Sequence, residues 1–447
     1  MNKPTFFHRL TDLYLGYLLT ALLIFPGFGG YASITTQKSL AFLLPSTAYL
    51  LICVIGRLEL ALVGGPPLPK PSVLWRQLHL SQKLVFGLWL LTALSMVFTV
   101  DPATAFWGAS HREGFWTLSL YYGCFLLISR LTSPKPWHLA FFAAAMSVNC
   151  LVAMLQLAGY NPLTLYPAGT TYYSAGKAYV GRLLGTVGSL TLQGAVLSLI
   201  IPALVTALLK GVGKRRFFLL IPLTLCLYLL WMIRIDAALV GVLGGILLTL
   251  PLLPRSKPWR IRLSLVLALL VLAALILVYC CGSAMPGFLA EVSAVLHGQW
   301  EDDFGSGRGY IWRRVLELIP ERPLLGGGPD TLGIRLDTYY RYYNKRFDTT
   351  IRLLLDMAHN EYLNLAVNQG LPALALYLAA LFSAAGSWIR HAHEDPALAV
   401  CGSAALGYCI QAFFGLSTPF TTSYLWLVLA LLVSTTGPRS NKKGGSL

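Results

Sequence analysis

Apolar stretches of about 20 residues recur along the whole chain, and they constrain its fold more than any other feature. A stretch of that length crosses the hydrocarbon core of a bilayer as one α-helix. The composition agrees, since 56% of the 447 residues are hydrophobic and 12% are charged, whereas a soluble domain carries about 25% charged residues. We predict an all-α, polytopic membrane protein with about 12 transmembrane helices. The predicted spans are 13–34, 39–63, 83–100, 114–129, 137–158, 186–209, 217–233, 237–254, 262–281, 358–388, 396–416 and 420–437.

Lys and Arg residues are unevenly divided between the segments that connect these spans. With the N-terminus inside, the predicted cytoplasmic segments hold 20 of the 34 Lys and Arg residues, and the short outside loops hold five. Positive residues accumulate on the cytoplasmic side of membrane proteins. The formal charge of +16 therefore reflects topology more than nucleic-acid binding, and both termini are predicted to be cytoplasmic. We interpret the first apolar run as a retained span because no small-residue cleavage site follows it.

One outside segment, residues 282–357, is far longer than the others. It separates transmembrane helices 1–9, within residues 1–281, from helices 10–12, within residues 358–437, and a basic tail covers 438–447. The long segment holds nine Lys or Arg and ten Asp or Glu residues, with helix-like patches such as IWRRVLELI. Loops this long are usually functional or disordered, and these patches favour an ordered and functional one.

A polar stripe begins where the long segment ends, in the stretch MAHNEYLNLAVNQGLPA. In a helix, Asn360, Asn364 and Asn368 would share one face, and polar stripes in membrane helices usually face a bundle interior or a wet cavity. His359 stands at the top of this stripe and could serve as a general base or hold a substrate oxygen. The alternative is an interfacial histidine that caps the helix.

Arg308 lies between glycines in GSGRGYIW, residues 305–312. The glycines let the backbone approach a ligand closely, and a guanidinium binds phosphate oxygens in a bidentate manner. The alternative is a loop arginine paired with the acidic run at residues 301–303. The other arginines of the segment are predicted to be mostly solvated or ion-paired.

Aromatic and basic residues alternate at two further places, YYRYYNKRF at residues 339–347 and the stretch around Trp107, His111, Arg112 and Trp116. Such surfaces suit a charged glycolipid or an interfacial aromatic belt. The eight cysteines show no zinc spacing, and the acidic run at 301–303 cannot converge from one regular face. We predict no metal and no cofactor, and the GGGP turn at 326–329 is not a nucleotide-binding loop because no GK[ST] follows it.

These motifs together resemble the O-antigen ligase and O-antigen polymerase superfamily of bacterial membrane glycosyltransferases. The resemblance covers most of the chain and is strongest over residues 308–377. The matching features are an Arg-containing segment at 307–312, a Pro-Leu-Leu-Gly-x-Gly turn at 323–328, His359-Asn360 followed by Gly370, Phe106-Trp107-Gly108 with His111-Arg112-Glu113-Gly114, and a glycine stretch at 185–188 with Gly194.

Two positions depart from the family pattern. Ala373 stands three positions after the motif glycine, where the family usually has Gly, Thr or a similar residue. The family tends to carry an arginine just before the helix that here begins near Ala237, where this chain has Asp236, with Arg234 two residues earlier. Arg234 and Asp236 could instead pair with each other, or line the same outside cavity.

The resemblance implies metal-independent transfer of a glycan, outside the cytoplasm, from an undecaprenyl-pyrophosphate-linked donor to an acceptor hydroxyl on a glycan, a lipid or a protein. His359 and Arg308 are the candidate catalytic residues. The candidate substrate-binding residues are Arg234, Asn360, Arg112, Arg314 and Tyr310. A protein O-oligosaccharyltransferase of the same family and a lipid-linked glycan transporter or flippase are the alternatives, although no internal repeat typical of a transporter is found.

Overall fold

Apolar runs of the sequence form helices, and proline or glycine residues end most of them. In this computed structural model, residues 6–65, 67–166, 183–285, 287–302, 304–336 and 354–435 are described in full, and the backbone alone at 173–174, 177–178, 339–344 and 349–353. Three features singled out in the sequence lie outside the fully described residues. They are the side chains of the alternating aromatic and basic run at 339–347, Asp303 of the acidic run, and the tail at 438–447.

The α-helices of the first half are α1 Phe6–Leu19, α2 Ala21–Ile24, α3 Ile34–Leu62, α4 Pro71–Gln77, α5 Leu80–Val97, α6 Pro102–Trp107, α7 Phe115–Leu131, α8 Pro136–Leu157, α9 Leu190–Lys210 and α10 Leu220–Ile233. Those of the second half are α11 Asp236–Thr249, α12 Lys257–Cys281, α13 Phe288–Leu296, α14 Phe304–Leu318, α15 Leu332–Leu336, α16 Glu361–Gln369, α17 Leu371–His391, α18 Pro396–Ala412 and α19 Pro419–Ser434. Short 3-10 helices lie at Gly30–Ala32, Pro162–Thr164, Lys214–Leu219, Leu250–Leu252, Gly282–Ala284 and Ile319–Glu321.

The helical, membrane-type architecture predicted from the sequence is confirmed. Seven helices are long and apolar enough to cross a membrane, and four shorter apolar helices accompany them. The chain also forms two antiparallel β-hairpins. One pairs β1 Tyr173–Ser174 with β2 Lys177–Ala178, and the other pairs β3 Tyr339–Asn344 with β4 Thr349–Leu354. The count of about twelve spans stays a prediction.

Two predicted spans differ from the observed helices. The span predicted at 13–34 is instead the pair α1–α2, and the chain leaves the helix at Phe25, where Pro26 and a glycine at φ +85 follow. The span predicted at 358–388 is divided into α16 and α17 at Gly370, whose φ of +92° interrupts the helix. Glycine adopts such angles without the steric cost that other residues meet.

The bundle packs closely where small residues meet. α9, α11 and α18 contact one another through Gly241, Gly245, Ser198 and Gly407, and a methyl group added at Gly407 would lie 2.0 Å from the carbonyl oxygen of Ser198. Small residues let membrane helices approach closely and gain van der Waals contact. The interface therefore fixes these three helices against one another.

A buried polar network holds the glycine stretch at 185–188 against α8. The side-chain oxygen of Asn149 accepts hydrogen bonds from the Thr186 amide and hydroxyl at 2.8 and 3.0 Å, and Gln156 accepts one from the Gly185 amide at 2.8 Å. Buried polar groups need such partners. The stretch therefore has a structural role in ordering this end of the bundle.

The long segment has a small hydrophobic core of its own. This core joins α14, α15 and α16 through buried residues that include Ile311, Trp312, Val315, Leu332 and Val367. Helices that bury an apolar face in this way are stabilised mainly by packing. The segment is thereby fixed against the start of α16, where His359 lies.

Candidate functional site

The first turn of α14 places Arg308 at the surface of the bundle. Gly305, Ser306 and Gly307 have positive φ angles of 61°, 64° and 94°, and the regular helix starts after them. The guanidinium of Arg308 donates from Nε to the carbonyl oxygen of Phe414 at 3.1 Å and also to the carbonyl of Gly305. Arg308 is therefore held by backbone carbonyls, and the two described residues of the acidic run, Glu301 and Asp302, form no ion pair with it.

His359 lies just before α16 in a left-handed conformation, with φ 47°. Burial, the positive charge of Arg308 and the charge of His111 together lower the pKa of His359 to about 4, although the nearby Asp356 carboxylate acts in the opposite direction. The imidazole is therefore neutral near pH 7 and has a lone pair available. The structure thus brings together the two residues predicted to be catalytic.

Asn360 has a different role from the other polar-stripe residues. Its side-chain oxygen accepts hydrogen bonds from the amides of Tyr362 and Leu363, each at 3.0 Å, and so caps α16. N-cap residues satisfy amides that lack a partner within the helix. The predicted polar face is therefore formed within α16 by Asn364 and Asn368, and Asn360 stands at its start.

The polar stripe faces a cavity of about 60 Å³ inside the bundle. Glu113, Glu361, Asn364 and Asn368 are among the residues that line it, and Tyr121 donates a hydrogen bond to Glu113 at 2.8 Å. A polar cavity of this size can hold a few water molecules. Burial raises the pKa of Glu113 to about 7.

The loop that contains Arg112 joins the same site. Arg112 is exposed and has a φ of 60°. Its neighbour His111 places Nε2 3.4 Å from Oδ2 of Asp356, three residues before His359. Asp330, which follows the GGGP turn, accepts a hydrogen bond from the Ala109 amide at 2.6 Å. Sequence reasoning missed both aspartates, since nothing local marks them as partners of a loop more than 200 residues away.

Arg234 lies at the junction of α10 and α11. It is exposed, has a φ of 51°, and forms no ion pair with Asp236 in the part of the chain that the structure describes. Asp236 acts electrostatically on Arg308, so this junction lies close to the first turn of α14.

The remaining two candidates, Arg314 and Tyr310, lie on the other side of α14. Arg314 pairs with Glu317 on a partly exposed surface, and the guanidinium of Arg313 lies 5.8 Å from the centre of the Tyr310 ring. The Arg314 pair is typical of a solvated helix face, whereas the Tyr310 ring is partly buried against the small hydrophobic core of the long segment.

Strained backbone is concentrated around this site. Seven described non-glycine residues have positive φ angles, and five of them are Arg112, Arg234, Ser306, Asp330 and His359. Such conformations cost roughly 1–3 kcal/mol each and cluster at functional sites. The surrounding packing therefore holds these residues in backbone conformations that are unfavourable for the residues themselves.

The glycine-rich turn at residues 323–328 packs directly against the start of α17 at Gly370, the motif glycine that follows His359. The Gly327 and Gly328 amides donate to the carbonyls of Val367 and Asn368 at 3.2 and 2.8 Å, and a methyl group added at Gly370 would lie 2.2 Å from the carbonyl oxygen of Leu324. Only glycine allows such close approach. The two motifs therefore form one structural unit behind His359.

An apolar groove of about 390 Å³ is lined in part by Phe414, the residue whose carbonyl accepts a hydrogen bond from Arg308. Its wall is largely aromatic and includes Trp300, Phe304, Trp312, Phe413 and Phe414. Aromatic side chains supply a large hydrophobic surface. The groove is thus suited to a long apolar chain whose charged end lies at Arg308.

Residues 221–378 of the chain match the protein-family model described as O-antigen ligase. This region contains Arg234, Arg308, the glycine-rich turn and His359. No curated protein matches the chain. The family match confirms the resemblance found in the sequence motifs.

Proposed function

Because residues 221–378 match the family model described as O-antigen ligase, we propose that this membrane protein transfers a glycan from an undecaprenyl-pyrophosphate-linked donor to an acceptor hydroxyl on the extracytoplasmic face. The observation that carries the proposal is the pairing of a carbonyl-held Arg308 with a neutral His359. The acceptor is a glycan repeat, a lipid core or a protein hydroxyl.

In the proposed reaction, the acceptor oxygen forms a bond to the anomeric carbon while the bond from that carbon to the pyrophosphate oxygen breaks. The pyrophosphate leaves with the bonding electrons, and Arg308 stabilises the charge that develops on it. His359 accepts the proton of the acceptor hydroxyl. Because its pKa is about 4, His359 is a weak base, and the proton moves late, when the new bond is well advanced.

The apolar groove is proposed to hold the polyprenyl chain of the donor. The chain would contact the aromatic wall, and the pyrophosphate would emerge at the guanidinium. Burial of apolar surface contributes roughly 25 cal/mol of favourable binding free energy per Å². The groove is therefore proposed to provide most of the affinity for the donor, and the charged residues are proposed to orient its pyrophosphate.

The proposed topology follows the positive-inside distribution. We place both termini in the cytoplasm, the protein in the inner (cytoplasmic) membrane, and residues 282–357 outside, between transmembrane helices 1–9 and 10–12. The basic tail at 438–447 is then cytoplasmic. Arg112 and Arg234 are proposed as further substrate-binding cations near Arg308.

The test is glycan transfer in a host strain that lacks its own enzyme, with surface glycan resolved on a gel and protein measured in membranes. We expect His359→Ala and Arg308→Ala to abolish transfer at normal protein levels. Arg313→Ala is the matched control, because Arg313 lies on a half-exposed face of α14, where it pairs with Asp302 at 2.7 Å and lies over the Tyr310 ring. Full transfer by both site variants would overturn the proposal, and the size ladder of the product distinguishes polymerase from ligase.

A further inference from the structure

The loop at residues 108–114 is closed on itself by its two end glycines. Gly108 has a φ of +84°, and a methyl group added at Gly114 would lie 2.3 Å from the amide nitrogen of Gly108. The ends of the loop therefore pack directly against each other. Arg112 extends from this compact unit as an exposed cation.

Two carboxylates from the opposite side of the site hold the loop. Oδ2 of Asp330 accepts hydrogen bonds from the amides of Ala109 and Glu113 at 2.6 and 3.2 Å. Oδ2 of Asp356 accepts one from the Ser110 hydroxyl at 2.5 Å and lies 3.4 Å from Nε2 of His111. Bonds to ionised groups are roughly twice as strong as neutral ones.

The second of these carboxylates also belongs to the backbone that leads into His359. Asp356 is three residues before His359, and the segment between them is fixed because Trp312 donates to the Ala358 carbonyl at 3.0 Å. The position of the loop and the position of His359 are therefore set by the same short stretch of chain.

We propose that His111 and Asp356 are positioning residues that clamp the loop at 108–114 as the second wall of the transfer site, so that Arg112 binds the donor pyrophosphate opposite Arg308. This inference rests on the proposed function. A pyrophosphate diester carries two negative charges, and two guanidiniums match it better than one. The clamp is closed when His111 is protonated and open when it is neutral.

The charges around His111 determine the pH range in which the clamp opens. The carboxylates of Asp356, Asp330 and Glu113 face it, and His359 lies across the site. Burial would lower the pKa of His111, but the three carboxylates outweigh burial and raise it. Burial raises the pKa of Asp356, whereas the bonds from His111 and Ser110 outweigh burial and lower it to about 2. The clamp therefore stays protonated to a higher pH than an ordinary histidine would, and it opens as the pH rises further.

Hydrogen exchange on the full-length protein in detergent tests the clamp without any substrate. The amides of residues 108–114 are followed by mass spectrometry from pH 6 to pH 9 (roughly spanning the ordinary range of histidine) and corrected for intrinsic exchange. We expect their protection to fall as the pH rises, and we expect Asp356→Asn to speed exchange on the order of tenfold at neutral pH. His111→Gln keeps a neutral donor, so protection should become independent of pH. Asp302→Asn removes an exposed pair on α14 and should change nothing.

The transfer assay adds a second readout. The pH profile of kcat/KM should lose its alkaline limb in His111→Gln and keep its acid limb. Unchanged exchange in Asp356→Asn, or pH-independent protection in the wild type, would show that no clamp exists. Altered exchange with an unaltered pH profile would show that the clamp does not position the reaction. If hydrogen exchange behaves as expected but the protein has no transfer activity, the proposed function is wrong and the clamp still exists.

Discussion

The indole Nε1 of Trp312 donates a hydrogen bond to the carbonyl oxygen of Ala358 at 3.0 Å. Trp312 lies one turn after Arg308 on α14, and Ala358 directly precedes His359. A single buried side chain therefore couples the helix that carries the arginine to the backbone that carries the histidine. Their relative position depends on this bond and on the packing of the indole ring.

Replacing Trp312 tests that coupling. Trp312→Phe keeps an aromatic ring but leaves the Ala358 carbonyl without its indole donor, which costs about 1–3 kcal/mol. We expect a lower thermal unfolding temperature and transfer reduced on the order of tenfold. Trp259→Phe is the matched control, since its side chain is exposed on α12 and does not line the groove. Equal effects of the two variants would contradict the proposed coupling.

The neutral state of His359 predicts how stability depends on pH. Its pKa is about 4 in the folded protein and 6.5 ordinarily, so the unfolded chain binds a proton first as the pH falls. The stability contributed by the neutral imidazole is present above pH 6.5 and is lost progressively toward pH 4. The unfolding temperature of the wild type should therefore fall more steeply over this range than that of His359→Gln. Parallel curves would show that His359 is not perturbed.

Gly370 is predicted to tolerate no side chain. Alanine there would meet the Leu324 carbonyl at 2.2 Å and would have to adopt a φ of +92°, so we expect Gly370→Ala to destabilise the protein by at least about 2 kcal/mol. Gly386→Ala is the control within α17, the helix that follows Gly370, because nothing lies within 4 Å of the added methyl group. Thermal unfolding in detergent measures both, and a stable Gly370→Ala protein would be the contrary result.

Lys38 is predicted to stabilise the broken end of the first helix pair. Its Nζ donates to the carbonyls of Leu22 and Leu23 at 2.9 and 3.1 Å and lies 4.3 Å from the centre of the Phe420 ring. Lys38→Met keeps the side-chain length but removes these bonds, so we expect a loss of about 1–3 kcal/mol. Lys257→Met, at an exposed position, should have little effect on the unfolding temperature. A stabilised Lys38→Met protein would show that burying the charge costs more than its bonds return.

Local patterns in the sequence predicted the helices and singled out Arg308 and His359, which the structure places near each other. The apolar runs mark most helices, and the glycines around Arg308 and after His359 mark the turns that the backbone requires. The contact between His111 and Asp356 could not be predicted, because it depends on two loops meeting across the bundle. Asn360 was placed in a helical stripe, although its position directly before Glu361 is equally typical of a cap.

The exposure of α12 has a consequence for how freely its sequence can change. No residue of α12, all of which is described, is buried, and it contacts mainly the 3-10 helices at its two ends and α13. Side chains without protein neighbours are constrained only by hydropathy and length. Substitutions among Leu, Val, Ile and Ala should therefore accumulate in α12 almost neutrally, and the helix can be exchanged for another apolar helix of equal length.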